Sequence, residues 1–149
     1  MAIEMNFEGT FEVDATSEKV FKAVMDPNEI SSCIPGFKSL NVISPEEYSV
    51  VVRVGLAFIK GDFNIKFKVV ERDENRHAKL TGNGQGMGGT LDLDAIMDLS
   101  EASGKTKMDW KADAKVGGRL GSMGQRLIGG QAQKLIKELF ENLQKKLSS

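Results

Sequence analysis

Few residues in this 149-residue chain have types and spacings that could do chemistry. Gly82-Asn83-Gly84-Gln85-Gly86-Met87-Gly88-Gly89 offers itself as a phosphate cradle. Its spacing is G-x-G-x-G-x-G, not that of the dinucleotide or Walker motifs, and a helix should follow to supply N–H groups. The alternating stretch Leu91 to Leu99 follows instead, so a nucleotide site is disfavoured. His77 is the only histidine and sits beside a charged turn, where a solvated role outweighs a general base. Cys33 is the only cysteine, lacks a second histidine for a dyad, and reads as a small core residue. Asp92, Asp94 and Asp98 lack the loop and terminal Glu of a calcium site. No catalytic residue, metal site or cofactor is expected.

The elements that would hold these residues follow from periodicity. Met5, Phe7, Phe11 and Val13 alternate with polar residues as in a half-buried strand. Asp14-Ala15-Thr16-Ser17 supplies N-cap candidates for a short helix carrying Val20, Phe21, Val24 and Met25. Asp26-Pro27 stops that helix, and a second is expected from Asn28 to Cys33 before the turn Pro35-Gly36. Six strand signals then succeed one another across Phe37–Ile43, Tyr48–Val54, Phe63–Val69, Ala78 and the glycines, Leu91–Leu99 and Thr106–Val116. Short polar connections between them predict an antiparallel meander. Leu120, Met123, Leu127, Leu135, Ile136, Leu139, Phe140, Leu143 and Leu147 then form one helical stripe. A helix of about 25 residues would be ~38 Å long, so the sheet must curve around it.

Composition sets the class. A net charge of −1 implies no general affinity for nucleic acid. No apolar run approaches the ~20 residues of a membrane span. The start Met1-Ala2-Ile3-Glu4-Met5-Asn6 lacks the features of a signal peptide, and one cysteine fits a reducing compartment. The expectation is one domain over residues 1–149, cytoplasmic, with any membrane contact peripheral.

Small residues point to a hollow interior. Gly82, Gly84, Gly86 and Gly88 share the inward face with Ala78 and Leu80, and Ala95, Ala112 and Ala114 lie on neighbouring inner faces. Either the long helix packs tightly on this strip, or the strip borders a cavity. Gly129-Gly130 is expected to weaken or kink the last helix. In the last hairpin, a turn centred on Ala102-Ser103 would set Asp98 opposite Lys107, Asp94 opposite Lys111 and Ala95 opposite Trp110. The two-residue slip would oppose Asp98 to Asp109, so cross-strand charge favours the first register. Leu56-Ala57-Phe58-Ile59, Met87-Gly88-Gly89 and Val116-Gly117-Gly118 would share one apolar end, as a portal or, more simply, as a plug.

The order strand, helix pair, six-strand meander and long helix resembles the α+β helix-grip fold of START-like and Bet v 1-like (SRPBCC) proteins. In that fold a curved seven-stranded antiparallel sheet surrounds a long C-terminal helix, with two short helices after the first strand. Within it the chain resembles the CoxG family, named for a subunit of carbon monoxide dehydrogenase. The matching segments are Phe7-Glu8-Gly9-Thr10-Phe11-Glu12-Val13, Asp26-Pro27, Cys33-Ile34-Pro35-Gly36, Val52-Arg53-Val54-Gly55, Gly82-Asn83-Gly84, and Lys115-Val116-Gly117-Gly118-Arg119-Leu120 through Arg126-Leu127-Ile128. The resemblance implies a non-catalytic accessory protein with an apolar cavity for a lipid-like or quinone-like molecule. It also implies partnership with a molybdenum-containing CO dehydrogenase. Longer members carry a membrane-anchoring C-terminal extension, whereas this chain stops at Ser149, so direct anchoring of that kind is not expected.

A binding module is therefore the first expectation, lined by Phe11, Val54, Phe67, Gly84, Ala95, Trp110, Met123 and Leu127, with buried apolar ligand surface supplying affinity. Two rivals stand beside it. A polyketide cyclase-like enzyme would need polar groups inside the cavity, and an adaptor or co-chaperone would need an exposed contact patch.

Overall fold

The computed structural model describes residues 2–56 and 59–148. Its elements run β1 (Ile3–Val13), α1 (Ser17–Met25), α2 (Pro27–Cys33), β2 (Phe37–Ser44), β3 (Glu47–Leu56), β4 (Ile59–Asp73), β5 (His77–Gly86), β6 (Gly89–Ala102), β7 (Lys105–Gly117), α3 (Gly118–Gly121) and α4 (Gln125–Ser148). All seven strands form one antiparallel sheet in the order β1-β7-β6-β5-β4-β3-β2. Strands β2 to β7 are the expected meander. The chain's first strand closes the far edge by pairing with its last, Phe7 opposite Ala112 and Val13 opposite Thr106.

Local chemistry sets the short helices. Thr16 caps α1 by accepting from the Lys19 N–H at 3.2 Å. Asp26 ends α1 and caps α2, its carboxylate accepting from the Asn28 N–H at 2.8 Å while Pro27 occupies the first helical turn. The buried Thr106 hydroxyl donates to the Ala15 carbonyl at 2.6 Å and so ties the start of α1 to β7.

The β6–β7 register differs from the charge-based expectation. Ala102 pairs with Lys105, leaving Ser103-Gly104 as a two-residue turn with φ of 54° and 77°. Positive φ at both positions is the primed turn that matches strand twist, and glycine suits the second place. This turn shifts the ladder so that Asp98 faces Asp109, Asp94 faces Asp113 and Ala95 faces Ala112. Cross-strand charge is worth a few tenths of a kcal/mol and is outweighed. The carboxylates find other partners: Asp98 meets His77 Nδ1 at 2.7 Å, and Asp109 accepts from the Thr10 hydroxyl at 3.0 Å. Lysines 115, 111 and 107 instead face Glu4, Glu8 and Glu12 of β1.

Packing concentrates at the two ends of the grip. One apolar cluster joins α1, α2 and the end of α4, with Phe21, Cys33, Leu143 and Leu147 buried among Phe11, Met97 and Met108. The other joins β3, β4, the end of β7 and the start of α4, with Val50, Val52, Phe63, Leu120 and Ile128 buried. Hydrogen bonds hold both ends of α4 in place. Gln125 donates to the Glu4 carbonyl at one end, Asn142 donates to the Cys33 carbonyl at the other, and Lys19 caps the Leu147 carbonyl.

Candidate functional site

Between the two clusters runs a row of residues whose middle, Ala112, Ala95 and Leu80, packs into neither, while Phe7 at one end packs on the second cluster and Val69 at the other on the first. Phe7, Ala112, Ala95, Leu80 and Val69 are consecutive partners across β1, β7, β6, β5 and β4. All five point to the concave face, and each is only half-buried. Leu93 and Ala114, one row away, are half-buried as well. A packed core would seal such residues.

The helix explains the gap. Leu135 lies seven residues after Ile128 and four before Leu139, on the core-facing stripe. Yet Leu135 is 36% exposed, while Ile128 is 7% and Leu143 1% exposed. The middle of α4 is therefore less covered at Leu135 than at Ile128 and Leu143. A groove of about 510 Å³ opens along this stretch, between β1 and α4. Phe7, Gly9, Phe11, Trp110, Ile136 and Phe140 give it an apolar floor, and Gln133 and Lys137 stand at its rim. Trp110 and Phe11 both meet Phe140, with ring centroids 5.3 and 5.0 Å apart, which fixes the aromatic wall.

The expected lining residues are distributed over this frame. Phe11 and Trp110 form the aromatic wall, and Ala95 sits in the middle of the uncovered row, opposite Ala112 and not Trp110 as expected. Val54 and Phe67 pack at the far side with the second cluster. Met123 and Leu127 border a separate shallow groove of about 430 Å³ with Arg126, Gly130 and Gln131. Gly84 is buried, but it does not border the hollow. A Cβ on it would run into Phe63 Cε1, and one on Gly82 would lie 3.2 Å from Phe67 Cε1. Neither the helix nor a cavity occupies the glycine strip; the rings of the adjacent strand do. Gly88 leaves the strip altogether, forming the β5–β6 turn with Met87.

Two further expectations change. Gly129-Gly130 lies inside an unbroken α4, and the helical path breaks earlier, at residues 122–124, where Gly124 takes φ of 96°. At the glycine-rich end, Leu120 folds over Gly89 and Met87 over Gly61, as a plug. Ala57 and Phe58 of that expected apolar end lie outside the described residues. The sequence places Phe7, Leu80, Ile136 and Phe140 on apolar faces without marking them as lining residues, and it does not mark Gln133 at all. Their place depends on the pairing of β1 with β7, about a hundred residues apart, which local periodicity does not report.

Titration adds little catalytic potential. Burial pushes the Tyr48 phenol on the inner face of β3 up to about 12, so it stays neutral. Burial also raises the Cys33 thiol. His77 lies on the outer face, bridging Glu71 and Asp98 at 2.8 and 2.7 Å. Among the described residues no group of His, Cys, Asp and Glu is arranged to hold a metal ion.

A family model for the CoxG subunit of carbon monoxide dehydrogenase matches residues 9–148. The chain belongs to the CoxG family. A conserved protein from Geobacillus kaustophilus is similar at 33% identity, with 97% of this CoxG chain and 95% of that one covered and a TM-score of 0.89. A START superfamily protein from Mycobacterium smegmatis matches at 15% identity over 96% and 97% of the chains, with a TM-score of 0.74. Norcoclaurine synthase from Thalictrum flavum matches at 12% identity over 99% and 88%, with a TM-score of 0.67. The two distant likenesses establish the START/Bet v 1-like grip and nothing about chemistry. Among curated proteins, none is significantly similar in sequence. Among the described residues of the CoxG chain, no helix is long and apolar enough to cross a membrane.

Proposed function

We propose that this CoxG-family chain is a non-catalytic binding module that holds an elongated apolar molecule, of lipid or quinone type, under the middle of α4. The uncovered middle of the row, Ala112–Ala95–Leu80, carries the reading. Apolar side chains on a concave face, between two sealed clusters, gain ~25 cal/mol per Å² when a ligand removes them from water. The groove along β1 gives a path to that row, because Phe7 belongs to both. Gln133 and Lys137 at its rim are donors that would orient a carbonyl or anionic head group. The family's name suggests the client. The partner in this reading is a CO dehydrogenase-type molybdenum hydroxylase, to which the module delivers or from which it receives its ligand.

Thermal-shift and native mass-spectrometry screens with quinones and single-chain and two-chain lipids test the reading. The expected result is one-to-one binding and a raised melting temperature for at least one apolar class. A flat response across the whole panel would overturn it. Co-purification with molybdenum hydroxylase subunits, from cells that express both, tests the partner.

A further inference from the structure

Polar side chains are few on the concave face of the sheet, and those at the end that α1 closes are engaged. Register places Arg72, Glu101 and Thr106 there. Arg72 pairs with Glu74 and lies over the Phe21 ring, 5.4 Å from its centroid. Glu101 accepts from the Ser17 N–H at 2.6 Å, and Thr106 donates to the Ala15 carbonyl at 2.6 Å. Tyr48 is the exception. It faces inward from β3, is 6% exposed, and its hydroxyl has no hydrogen-bond partner among the described residues. The oxygen is not sealed off either. Among the described residues, Ser31 Oγ is the one side-chain oxygen or nitrogen that is both fully enclosed and without a partner. A largely buried hydroxyl without a partner carries a free-energy cost that a bound acceptor removes.

The place of Tyr48 in the sheet ties it to the hollow. Tyr48, Phe67, Gly82, Leu93, Ala114 and Met5 are consecutive partners across β3, β4, β5, β6, β7 and β1. This row lies two residues, ~7 Å, from the row that holds Leu80, Ala95 and Ala112. Tyr48 stands at its β3 end. The groove opens at β1, five strand spacings or roughly 24 Å away along the sheet. The ring is held in the second cluster against Phe67, with centroids 5.4 Å apart.

We propose that Tyr48 sets ligand specificity by donating its hydroxyl hydrogen to an oxygen acceptor at the inner end of the bound molecule. The inference rests on the binding reading above and deepens it: the end of the ligand that lies farthest from the groove is not pure hydrocarbon. Gln133 and Lys137 at the rim meet what stays near the groove, and Tyr48 reads what enters first. Burial holds the phenol's pKa at about 12, so it remains a donor throughout the neutral range. Its cross-strand neighbours Val42 and Phe67 carry no charge to balance a carboxylate, so the acceptor is a neutral oxygen. The ring carbonyl of a quinone and the ester carbonyl of a lipid share that chemistry.

Titration of the native chain and Tyr48→Phe with dodecyl methyl ketone and with tetradecane, equal in carbon count, tests it. The native chain should prefer the ketone. Tyr48→Phe should lose on the order of 10-fold in affinity for the ketone, while its affinity for tetradecane holds or improves. The variant keeps the ring on Phe67 and gives up no internal hydrogen bond, so its melting temperature should not fall. Tyr48 is the only tyrosine, so carbon NMR of a chain labelled at tyrosine Cζ gives one signal, which should move further with the ketone than with tetradecane. A short-tailed quinone and a fatty-acid methyl ester then separate the two sources, since the carrier whose affinity depends on the Tyr48 hydroxyl is the one that the site takes. Equal loss for ketone and tetradecane would mean that Tyr48 only shapes the cavity, and no loss for either would mean that its hydroxyl meets no ligand. Both results overturn this inference and leave the binding reading standing. If neither probe binds the native chain, the binding reading falls and this inference falls with it.

Discussion

His77 shows how one residue can tie three strands. Its ring nitrogens meet Glu71 and Asp98, on β4 and β6, from the first position of β5. The hydrogen bonds to Glu71 and then Asp98 raise its pKa above the ordinary value of about 6.5. A raised folded-state pKa means that the stabilisation is fully present below the unfolded value and is lost as pH rises through the folded one. Urea midpoints of the native chain and His77→Gln should therefore differ most near pH ~5.5 and converge toward pH ~9. A gap that widens with pH would contradict the bridge. The glycine strip makes a second residue-scale case. Gly84→Ala drives a Cβ into the buried Phe63 ring and should cost about 1–3 kcal/mol, measured by urea denaturation. An unchanged midpoint would mean that Phe63 does not lie over Gly84. The sequence showed that Gly82, Gly84 and Gly86 share a face, but it placed Gly88 there too and did not show what fills the space, because the rings come from the neighbouring strand.

At the scale of elements, the strands were legible because a period of two is local, and α4 because its stripe is long. The β6–β7 register was not. Charges on two strands looked like information, yet Ser103-Gly104 decided the alignment through backbone conformation alone. The helix break was misplaced for a related reason: low helix propensity at Gly129-Gly130 is a cost that packing absorbs, whereas Gly124 adopts a φ that ends a helix. These two kinds of glycine can be separated by experiment. Gly130 has open space around its would-be Cβ and a helical backbone, so Gly130→Ala should raise stability by about 0.5–1 kcal/mol. Gly124→Ala has equal room but a φ of 96°, and it should lower stability by about 1 kcal/mol or more. Thermal melts of the two variants should move in opposite directions.

At the scale of the molecule, the question is whether the uncovered row is empty space or merely a loose core. Small residues pointed to the right region: Ala95 and Ala112 do face the gap, while Ala114 packs on the second cluster, and the corrected register brings Ala95 and Ala112 side by side, which makes the gap wider. What could not be read locally was that Leu135, between Ile128 and Leu139, stays partly uncovered, since the apolar stripe continues unbroken through it. Ala95→Leu separates the two cases. In a close-packed core the added carbons would strain the fold and cost about 1–3 kcal/mol. In a hollow they find room and bury new surface at roughly 0.8 kcal/mol per CH₂, so the melting temperature should hold or rise. The same substitution fills the volume that a ligand would use, so the apolar ligand that shifts the native chain should no longer shift Ala95→Leu. A stable variant that has lost its ligand places the binding site on the Ala95 row. A destabilised variant that still binds would place it elsewhere and return the row to the core.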